Sequence, residues 1–446
     1  MNTHDVIVIG GGPAGGGVAS PLVKAGKKVA MIEAEAYGGV CPLKGCNPKK
    51  VLMSGAEAIH MVEVMQGKGV AGNATIDWPA LMRFKQSFVD PVPESARKAY
   101  AGMGIDVKLG FARFVGPRSI EVNGETLSAK NICVCAGLEP SPLPMPGCEG
   151  LPVSDDFLNL ETMPGSVVFI GGGFIAFEFA HIARRTGAEV TLLNRSDRVL
   201  RQFDAELTRE LVDASRAAGI DVRLNRPIKH VEATESGYVV SCGEAGSEQV
   251  TADMVFNCTG RRPAIDGLGL DIAGVEFSGR GIKVNSRMQS VSNPDVYVVG
   301  DVADQGAALT PVASLQAEVA AANILAAGAA EIDYSGIPSA CFTLPPLAGV
   351  GLLEDQAREQ GLSFEVKETD LAGSFPWKRL GETHGKARVL LDETGDRILG
   401  AHILAHNAEE IINIFALIIQ QDIPLSKVRE MVWTYPTCGY YVKYMV

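Results

Sequence analysis

Short runs of consecutive hydrophobic residues, each followed by a cluster of glycines, occur at two places along the chain. The first run leads into Gly-Gly-Gly-Pro-Ala-Gly at 10–15, and the second leads into Gly-Gly-Gly-Phe-Ile-Ala at 171–176. Continuous apolar runs are typical of buried parallel strands, and a strand followed by G-x-G-x-x-G/A indicates a dinucleotide site. The pattern therefore predicts an α/β fold with two Rossmann-like dinucleotide-binding domains. Their turn residues are Gly10, Gly12 and Gly15 in the first and Gly171, Gly173 and Ala176 in the second.

Each glycine turn is followed by another predicted strand, and the residue that ends this strand differs between the two dinucleotide-binding motifs. In the first motif it is Glu33, which follows Gly15 by 18 residues, near the spacing of an acid that binds a ribose hydroxyl. In the second motif it is Asn194, and the loop that follows contains Arg195, Arg198 and Arg201. Arginines in place of the acid favour the 2′-phosphate of NADP, whereas the alternative is an ordinary solvated basic loop. We therefore predict NADPH at the second site.

Two cysteines, Cys41 and Cys46, follow the first dinucleotide-binding motif and are separated by four residues. A zinc knuckle needs a second pair of ligands, and no such pair occurs elsewhere in this sequence. Gly45 and Pro48 instead indicate a bent segment that brings the two sulfurs together. We interpret the pair as a redox-active disulfide. Its electron source has to be found elsewhere in the chain.

Composition limits the partners and the compartment. The net charge of −12 argues against binding to nucleic acid, whose phosphates need a basic surface. The sequence begins with a strand-like run rather than a signal peptide, and the apolar run at 411–419 is too short to span a membrane. We expect a cytoplasmic protein, in which a disulfide is catalytic rather than structural.

The remaining segments are assigned from periodicity and turn signals. Helices are predicted at 51–66 and 77–100, and the second is interrupted by prolines. Residues 105–135 alternate like antiparallel strands, with a hairpin turn at Asn123-Gly124. The proline-rich stretch at 140–152 is typical of a domain linker.

Together these motifs resemble the flavin-dependent pyridine nucleotide–disulfide oxidoreductases, the family of glutathione reductase, dihydrolipoamide dehydrogenase and mercuric reductase. The resemblance includes Gly-Gly-x-Cys-x4-Cys-x-Pro-Lys at 38–49, Thr-Gly-Arg-Arg-Pro at 259–263 and Val-Tyr-Val-Val-Gly-Asp at 296–301. It implies the following domains: an FAD-binding domain over 1–150, an NAD(P)H-binding domain over 151–270, a second FAD and central part over 271–335, and an α+β dimerisation domain over 336–446.

The resemblance also implies roles for individual residues. The FAD ligands would be Gly10, Gly12, Gly15, Glu33, Lys49, Gly137, Asp301 and Thr310. The NADPH ligands would be Gly171, Gly173, Phe174, Ala176, Arg195, Arg201 and Gly260. Lys49 would lie beside the flavin N5 and pair with Glu178, whereas the alternative is a surface lysine and a solvated helix acid. Electrons would pass from NADPH through FAD to the disulfide, with Cys46 nearer the flavin and Cys41 meeting the substrate.

The C-terminal segment departs from the family pattern. The disulfide reductases supply His-Pro-Thr-x-x-Glu across a homodimer to the partner's cysteines, and this chain has Tyr-Pro-Thr-Cys-Gly-Tyr at 435–440. Tyr435 and Tyr440 thus replace the acid/base pair, although a tyrosine with a pKa near 10 is a poor base at pH 7. Cys438 is either a third thiol or a small residue that fills a turn.

Three interpretations of the acceptor follow. The first is reduction of an unusual small-molecule or protein disulfide, with Lys44 either stabilising a thiolate or simply solvated. The second is reduction of a metal ion, a quinone or another electrophile, or cleavage of a carbon–sulfur bond. The third is a redox-sensing flavoprotein with low turnover, which the intact NADPH motif disfavours.

Overall fold

The computed structural model describes residues 3–326 and 330–446, and the chain divides into two compact units. The first unit contains Met1–Lys50, Arg83–Ser141 and Arg261–Tyr334, and the second contains Val51–Met82, Pro142–Gly260 and Ser335–Val446. The division of the sequence into four consecutive domain segments stays a prediction.

The elements have the following bounds. The helices are α1 (Pro13–Lys24), α2 (Val40–Lys44), α3 (Cys46–Val64), α4 (Trp78–Val89), α5 (Val92–Gly102), α6 (Ser154–Phe157), α7 (Phe174–Arg185), α8 (Ala205–Ala217), α9 (Thr310–Ala326), α10 (Glu354–Glu359), α11 (Phe375–Lys378), α12 (Ala408–Gln420), α13 (Leu425–Glu430) and α14 (Val442–Met445). The strands are β1 (His4–Ile9), β2 (Val29–Glu33), β3 (Asp106–Leu109), β4 (Arg113–Gly116), β5 (Ser119–Val122), β6 (Glu125–Val134), β7 (Leu138–Pro140), β8 (Ser166–Ile170), β9 (Glu189–Leu193), β10 (Ile220–Arg223), β11 (Ile228–Thr234), β12 (Gly237–Cys242), β13 (Glu248–Ala252), β14 (Met254–Asn257), β15 (Arg261–Pro263), β16 (Phe277–Ser278), β17 (Gly281–Ile282), β18 (Val296–Val298), β19 (Ser339–Cys341), β20 (Leu347–Gly351), β21 (Phe364–Asp370), β22 (Lys386–Asp392) and β23 (Ile398–Leu404).

The first unit is built on a sheet in which β1 lies between β2 and β6, with all three strands parallel. The predicted hairpin is present, because Asn123 and Gly124 both have positive φ and join β5 to β6. The prediction of antiparallel strands throughout 105–135 is wrong for β3, which pairs parallel with β2 at the sheet edge. The intervening helices return the chain to the same end of the sheet, and such a crossover produces a parallel pair. The helical stretch predicted at 77–100 is two helices, α4 and α5.

The second unit contains two kinds of sheet. Strands β10, β9, β8 and β14 form a parallel sheet that begins the second dinucleotide motif. Strands β19 to β23 form an antiparallel sheet, against which α12 packs Ile411, Ile412 and Phe415. The α/β class with two Rossmann-like parts and an α+β part is therefore confirmed.

Both glycine turns have a position where only glycine fits. Gly10 and Gly171 have φ of +113° and +130°, and a Cβ there would lie 2.4 Å from the Cys135 carbonyl oxygen and 2.3 Å from that of Cys258. A Cβ on Gly15 would lie 2.0 Å from the carbonyl oxygen of Gly10. The turns are tight because the backbone of the adjacent strand passes directly beside them.

Replacing Gly171 by alanine is expected to destabilise the protein, whereas the same change at Gly173 is not. Alanine at Gly171 combines a disfavoured φ with a backbone clash, and together these should cost about 3 kcal/mol. Gly173 has no atom within 4 Å of its Cβ position and no positive φ, so it is a matched control. Thermal unfolding should show a Tm lower by roughly 5 °C for G171A alone; equal Tm values for the two variants would contradict the assignment.

Candidate functional site

Cys41 and Cys46 lie on two consecutive helices joined by a single glycine. Helix α2 contains Cys41, and α3 begins at Cys46. Gly45 makes the sharp junction, where a Cβ would lie 2.9 Å from the carbonyl oxygen of Val40. Both side chains are free thiols, half-buried for Cys41 and exposed for Cys46, and they are hydrogen bonded to each other. The loop thus places the two sulfurs together, and the redox-active disulfide stays a prediction for this pair.

The two thiols differ strongly in acidity. The hydrogen bond from Cys41 is the largest cause that lowers the pKa of Cys46, which is about 6, and Thr310, Lys49 and Lys50 lower it further. The same hydrogen bond and burial raise the pKa of Cys41. The Oγ1 of Thr310, the first residue of α9, lies 3.9 Å from the Cys46 sulfur. Cys46 also begins a 19-residue helix, whose N-terminal end favours negative charge.

The reduced protein is expected to hold a thiolate on Cys46 above about pH 6. Because the pKa is lowered from its ordinary value, the thiolate fraction falls as the pH decreases through about 6. The long-wavelength thiolate–flavin absorbance of the two-electron-reduced holoenzyme should therefore be half-maximal near pH 6. Cys41→Ala cannot form the disulfide, so its thiolate–flavin band is read in the oxidised holoenzyme, and the midpoint should move to higher pH because the principal hydrogen-bond donor is lost. A band that first develops above pH 8 in the unmodified protein would contradict this assignment.

The residues predicted to bind FAD all belong to the first unit. The carboxylate of Glu33 accepts a hydrogen bond from the backbone N–H of Gly11 at 2.7 Å, at the turn itself. Gly12 lies against Gly39, because a Cβ on Gly12 would lie 3.4 Å from the Cα of Gly39, so a side chain there would crowd the opposing backbone. Helix α1 begins here without a side-chain cap, so its first amides can face a pyrophosphate.

Asp301 lies beside a cavity of about 350 Å³ in the same unit. Burial raises the pKa of Asp301, and the nearby Arg261 partly offsets this. The loop is fixed by Gln316, whose side-chain oxygen accepts a hydrogen bond from the N–H of Gly300 at 2.7 Å. Gly137 has φ of +69°, and its carbonyl oxygen accepts from Ala264 at 3.0 Å. A half-buried carboxylate next to a cavity suits a ligand rich in hydroxyl groups, so these residues fit the ribityl and ribose parts of FAD.

Lys49 and Glu178 are both buried, with exposures of 8% and 1%. These values exclude a surface lysine and a solvated helix acid. One carboxylate oxygen of Glu178 accepts a hydrogen bond from the N–H of Phe342 at 3.0 Å. Lys49 belongs to the first unit and Glu178 to the second, and their ion pair stays a prediction.

The loop predicted to select NADPH contains arginines of two kinds. The side chain of Asn194 is buried and donates to the carbonyl oxygens of Ser196 and Arg198. Arg198 points inward, donating to Phe203 at 2.6 Å and to Thr208, and burial lowers its pKa. Arg195 and Arg201 are exposed. The two arginines of the predicted NADPH site are thus exposed to solvent, whereas Arg198 is hydrogen bonded to Phe203 and Thr208.

The other predicted nucleotide residues surround the second glycine turn. Phe174 is the first residue of α7 and is 41% exposed, whereas Ala176 is fully buried. Gly260 has φ of +144°, which favours glycine. An exposed ring at the start of this helix is compatible with a side chain that moves when nicotinamide binds.

The C-terminal segment places Tyr435 and Tyr440 together, with ring centroids 4.9 Å apart. Cys438 between them is half-buried, burial raises its pKa, and its sulfur lies 4.0 Å from the side-chain nitrogen of Asn407. These surroundings favour the interpretation of Cys438 as a small residue that fills a turn over its interpretation as a third redox thiol. Lys44 forms an ion pair with Glu35 at 2.7 Å.

Sequence reasoning missed a buried histidine–glutamate pair in the second unit. The Nε2 of His60 lies 3.1 Å from Glu382, and Arg185 donates to the His60 Nδ1 at 3.4 Å. His60 and Glu382 are 8% and 7% exposed. The pair is enclosed by protein, so it does not replace the missing acid/base dyad. No sequence signal could have found it, because 322 residues separate its members.

Among the described residues, no group of three or more His, Cys, Asp or Glu side chains is arranged to hold a metal ion. In the same part of the chain, no helix is long and apolar enough to cross a membrane.

Comparison with known proteins identifies the family. The model of the family described as pyridine nucleotide-disulphide oxidoreductase matches residues 4–317, and that of its dimerisation domain matches residues 337–445. The chain belongs to this family. Dihydrolipoyl dehydrogenase of Thermus scotoductus is 34% identical over 448 residues, covering 98% of this chain and 95% of that protein. Glutathione reductase of Burkholderia cepacia is 32% identical over 425 residues, covering 93% and 92%.

A solved structure is also similar. The Cu(II) complex of RclA, an HOCl-induced flavoprotein disulfide reductase of Escherichia coli, has a TM-score of 0.89 and 27% identity, and the match covers 100% of this chain and 99% of that chain. The protein is therefore an oxidoreductase of the flavoprotein disulfide type, with FAD and NAD(P)H as its cofactors. The matched dimerisation domain supports a homodimer.

Proposed function

We propose that this protein oxidises NADPH and transfers the electron pair through FAD to the Cys41–Cys46 disulfide and then to an acceptor that needs protons. The observation that carries this proposal is the contact between Cys41 and Cys46 beside Thr310, with opposite pKa shifts on the two thiols. The two sulfurs of such a pair have different roles, because one holds negative charge while the other stays protonated.

FAD, when bound, supplies the group that accepts hydride from NADPH and delivers two electrons to the disulfide. Lys49 would lie at the flavin, and Arg195 and Arg201 would hold the 2′-phosphate of NADPH. Reduction of the disulfide takes up two electrons and two protons and gives two thiols. One of these protons is lost to solvent above about pH 6, and the charge is held on Cys46.

The singly ionised pair also explains how the enzyme works without an imidazole at the cysteines. One proton lies in the hydrogen bond between Cys41 and Cys46. Movement of this proton to Cys46 places the thiolate on Cys41, which then attacks the acceptor. With a disulfide acceptor, Cys41 forms a mixed disulfide and expels one thiolate, which takes the proton from Cys46. The Cys46 thiolate then attacks the Cys41 sulfur, re-forms the disulfide and releases the second thiolate, which is protonated by solvent.

The proposal includes an active site shared across the homodimer, with Tyr435 and Tyr440 facing the partner subunit's cysteines. It also includes the four-part domain division and a cytoplasmic location. The family likeness of the dimerisation domain supports the shared site.

The test is an anaerobic titration of the purified holoenzyme with NADPH. We expect uptake of two hydride equivalents per subunit, one for FAD and one for the disulfide, and a long-wavelength thiolate–flavin band after the first. Uptake of a single equivalent without that band would refute the disulfide assignment. The reduced enzyme is then mixed with small disulfides, quinones and metal ions, and the acceptor that reoxidises it fastest defines the reaction class.

Reduction of Cu(II) is a second candidate, favoured by the structural likeness to the Cu(II) complex of RclA. Cu(II) accepts a single electron and no proton, so its reduction should not require a phenolic proton donor. Reoxidation of the reduced holoenzyme by a soluble Cu(II) chelate, followed with a Cu(I)-specific dye, tests it. A rate no faster than that of a cysteine-free double variant would exclude this candidate.

A further inference from the structure

Four tyrosine rings and one lysine form a continuous group near the C-terminus, which we call the tyrosine cluster. Its members are Tyr435, Tyr440, Tyr441, Lys443 and Tyr444. Tyr440 is central, with ring centroids 4.9 Å from Tyr435, 5.9 Å from Tyr441 and 5.7 Å from Tyr444. Contacts of this geometry fix the rings relative to one another. The cluster thus presents a surface of aromatic faces and edges.

The cluster is anchored on one side and open on the other. Tyr441 packs edge-on against the buried Trp377, with centroids 5.6 Å apart, and the N–H of Tyr440 donates to Thr437 at 3.1 Å. In the single subunit, Tyr435 and Tyr444 are 61% and 49% exposed. A rigid aromatic surface that keeps two rings exposed is suited to stacking with a flat ligand.

The polar groups of the cluster are proton donors. The hydroxyls of Tyr440 and Tyr444 lie 3.4 Å apart, and the ammonium of Lys443 lies 3.9 Å from the Tyr440 ring centroid and 5.1 Å from that of Tyr444. Hydrogen bonding to Lys443 and then to Tyr444 lowers the pKa of Tyr440, which makes its hydroxyl a better acid than an ordinary phenol. Lys443 is the only Lys, Arg, Asp or Glu in residues 431–446. The Lys443 ammonium therefore lies beside the rings that carry the hydroxyls, where it favours an acceptor that becomes negative as it gains electrons.

We propose that the tyrosine cluster binds a quinone, with the quinone ring on the exposed tyrosine rings and Tyr440 as the donor of a proton to a quinone oxygen. The proposal rests on the proposed function, because the electrons must come from the reduced Cys41–Cys46 pair of the partner subunit. In the balanced reaction, the thiol–thiolate pair, one proton from solvent and the quinone give the disulfide and the quinol. Two electrons and two protons reach the quinone, and Tyr440 regains its proton through Tyr444 and solvent.

The same features disfavour the other acceptors. A compact disulfide offers no planar ring to the exposed tyrosines. Cu(II) is commonly bound by imidazole, thiolate or carboxylate side chains, and among the side chains of residues 431–446 only the half-buried Cys438 is of these types. A planar acceptor with two carbonyl oxygens uses both the aromatic surface and the hydroxyl donors.

The test compares Tyr440→Phe and Tyr435→Leu holoenzymes with the unmodified protein, using a water-soluble 1,4-benzoquinone under anaerobic conditions. Y440F keeps the ring and removes the acid, so kcat for the quinone should fall at least tenfold with little change in KM. Y435L removes a stacking ring, so KM should rise at least fivefold while kcat stays within about twofold. Tyr238→Phe, on β12 and outside the cluster, is the matched control and should match the unmodified protein.

Three further outcomes are informative. Reduction of FAD and the cysteine pair by NADPH, followed by stopped flow, should be equal in all variants. If this half-reaction proceeds but both variants reduce the quinone like the unmodified protein, the inference is overturned and the proposed function stands. If Y440F lowers the rate of small-disulfide reduction as much as the rate of quinone reduction, and Y435L changes neither, the inference that the tyrosine cluster binds a quinone is also overturned. If NADPH does not reduce the cysteine pair at all, both proposals fail.

Discussion

Replacing Cys46 by serine is expected to lower acceptor reduction by about a thousandfold or more, while FAD is still reduced by NADPH. Serine cannot form the disulfide that receives electrons, and its hydroxyl does not ionise at neutral pH. The thiolate that Cys41, Thr310, Lys49 and Lys50 stabilise would be absent as well. Steady-state NADPH oxidation with the best acceptor measures the loss, and stopped-flow flavin absorbance shows that the first half-reaction is intact.

Cys438→Ser is the matched control for this prediction. Cys438 is half-buried and contacts Asn407, so a serine should fill the same turn and leave the rate within about twofold. A large loss in Cys438→Ser would revive its role as a third thiol. If Cys46→Ser retained its rate with every acceptor, electrons would have to leave directly from the flavin, and the role of the cysteine pair would be wrong.

The double variant Arg195→Ala/Arg201→Ala is expected to raise KM for NADPH by about a hundredfold and to leave KM for NADH nearly unchanged. Both arginines are exposed in the loop after β9, where the 2′-phosphate is predicted to bind. Loss of two charge-assisted hydrogen bonds should weaken binding by about 3 kcal/mol, which corresponds to roughly a hundredfold. Initial rates with the two nucleotides, measured at one ionic strength, give the ratio.

Two further variants separate phosphate binding from stability. Arg209→Ala removes an exposed arginine of the same unit that pairs with Glu206, and it should not change either KM. Arg198→Ala should lower Tm instead, because it removes the hydrogen bonds to Phe203 and Thr208. An equal rise in KM for NADH and NADPH in the double variant, or a preference of the unmodified protein for NADH, would show that the loop does not select the phosphate.

Several features of the protein follow from local sequence alone. The glycine turns at 10–15 and 171–176 can be predicted from the sequence because each needs a residue without a Cβ within a few positions of a buried strand. The cysteine segment can also be predicted, because both thiols, Gly45 and the start of α3 lie within a few residues of one another. The change from acid to asparagine at 194 and the loss of the usual dyad at 435–440 are likewise local.

Other features were decided only by the tertiary structure. Thr310 reaches Cys46 across 264 residues, and His60 reaches Glu382 across 322, distances over which no periodic pattern extends. Three arginines of one loop look alike in the sequence, but packing turns Arg198 inward and leaves Arg195 and Arg201 exposed. The parallel pairing of β3 was also missed, because a four-residue strand takes its partner from the sheet edge that it meets.

The sequence by itself thus determined the family, the two nucleotide motifs and the pair of thiols, because each depends on backbone geometry within one short segment. Only the tertiary structure decided which thiol holds the negative charge and which arginines face solvent. It also gathered the tyrosines into one cluster at the C-terminus. These properties depend on burial and on neighbours from distant parts of the chain, and both arise only when the chain is folded.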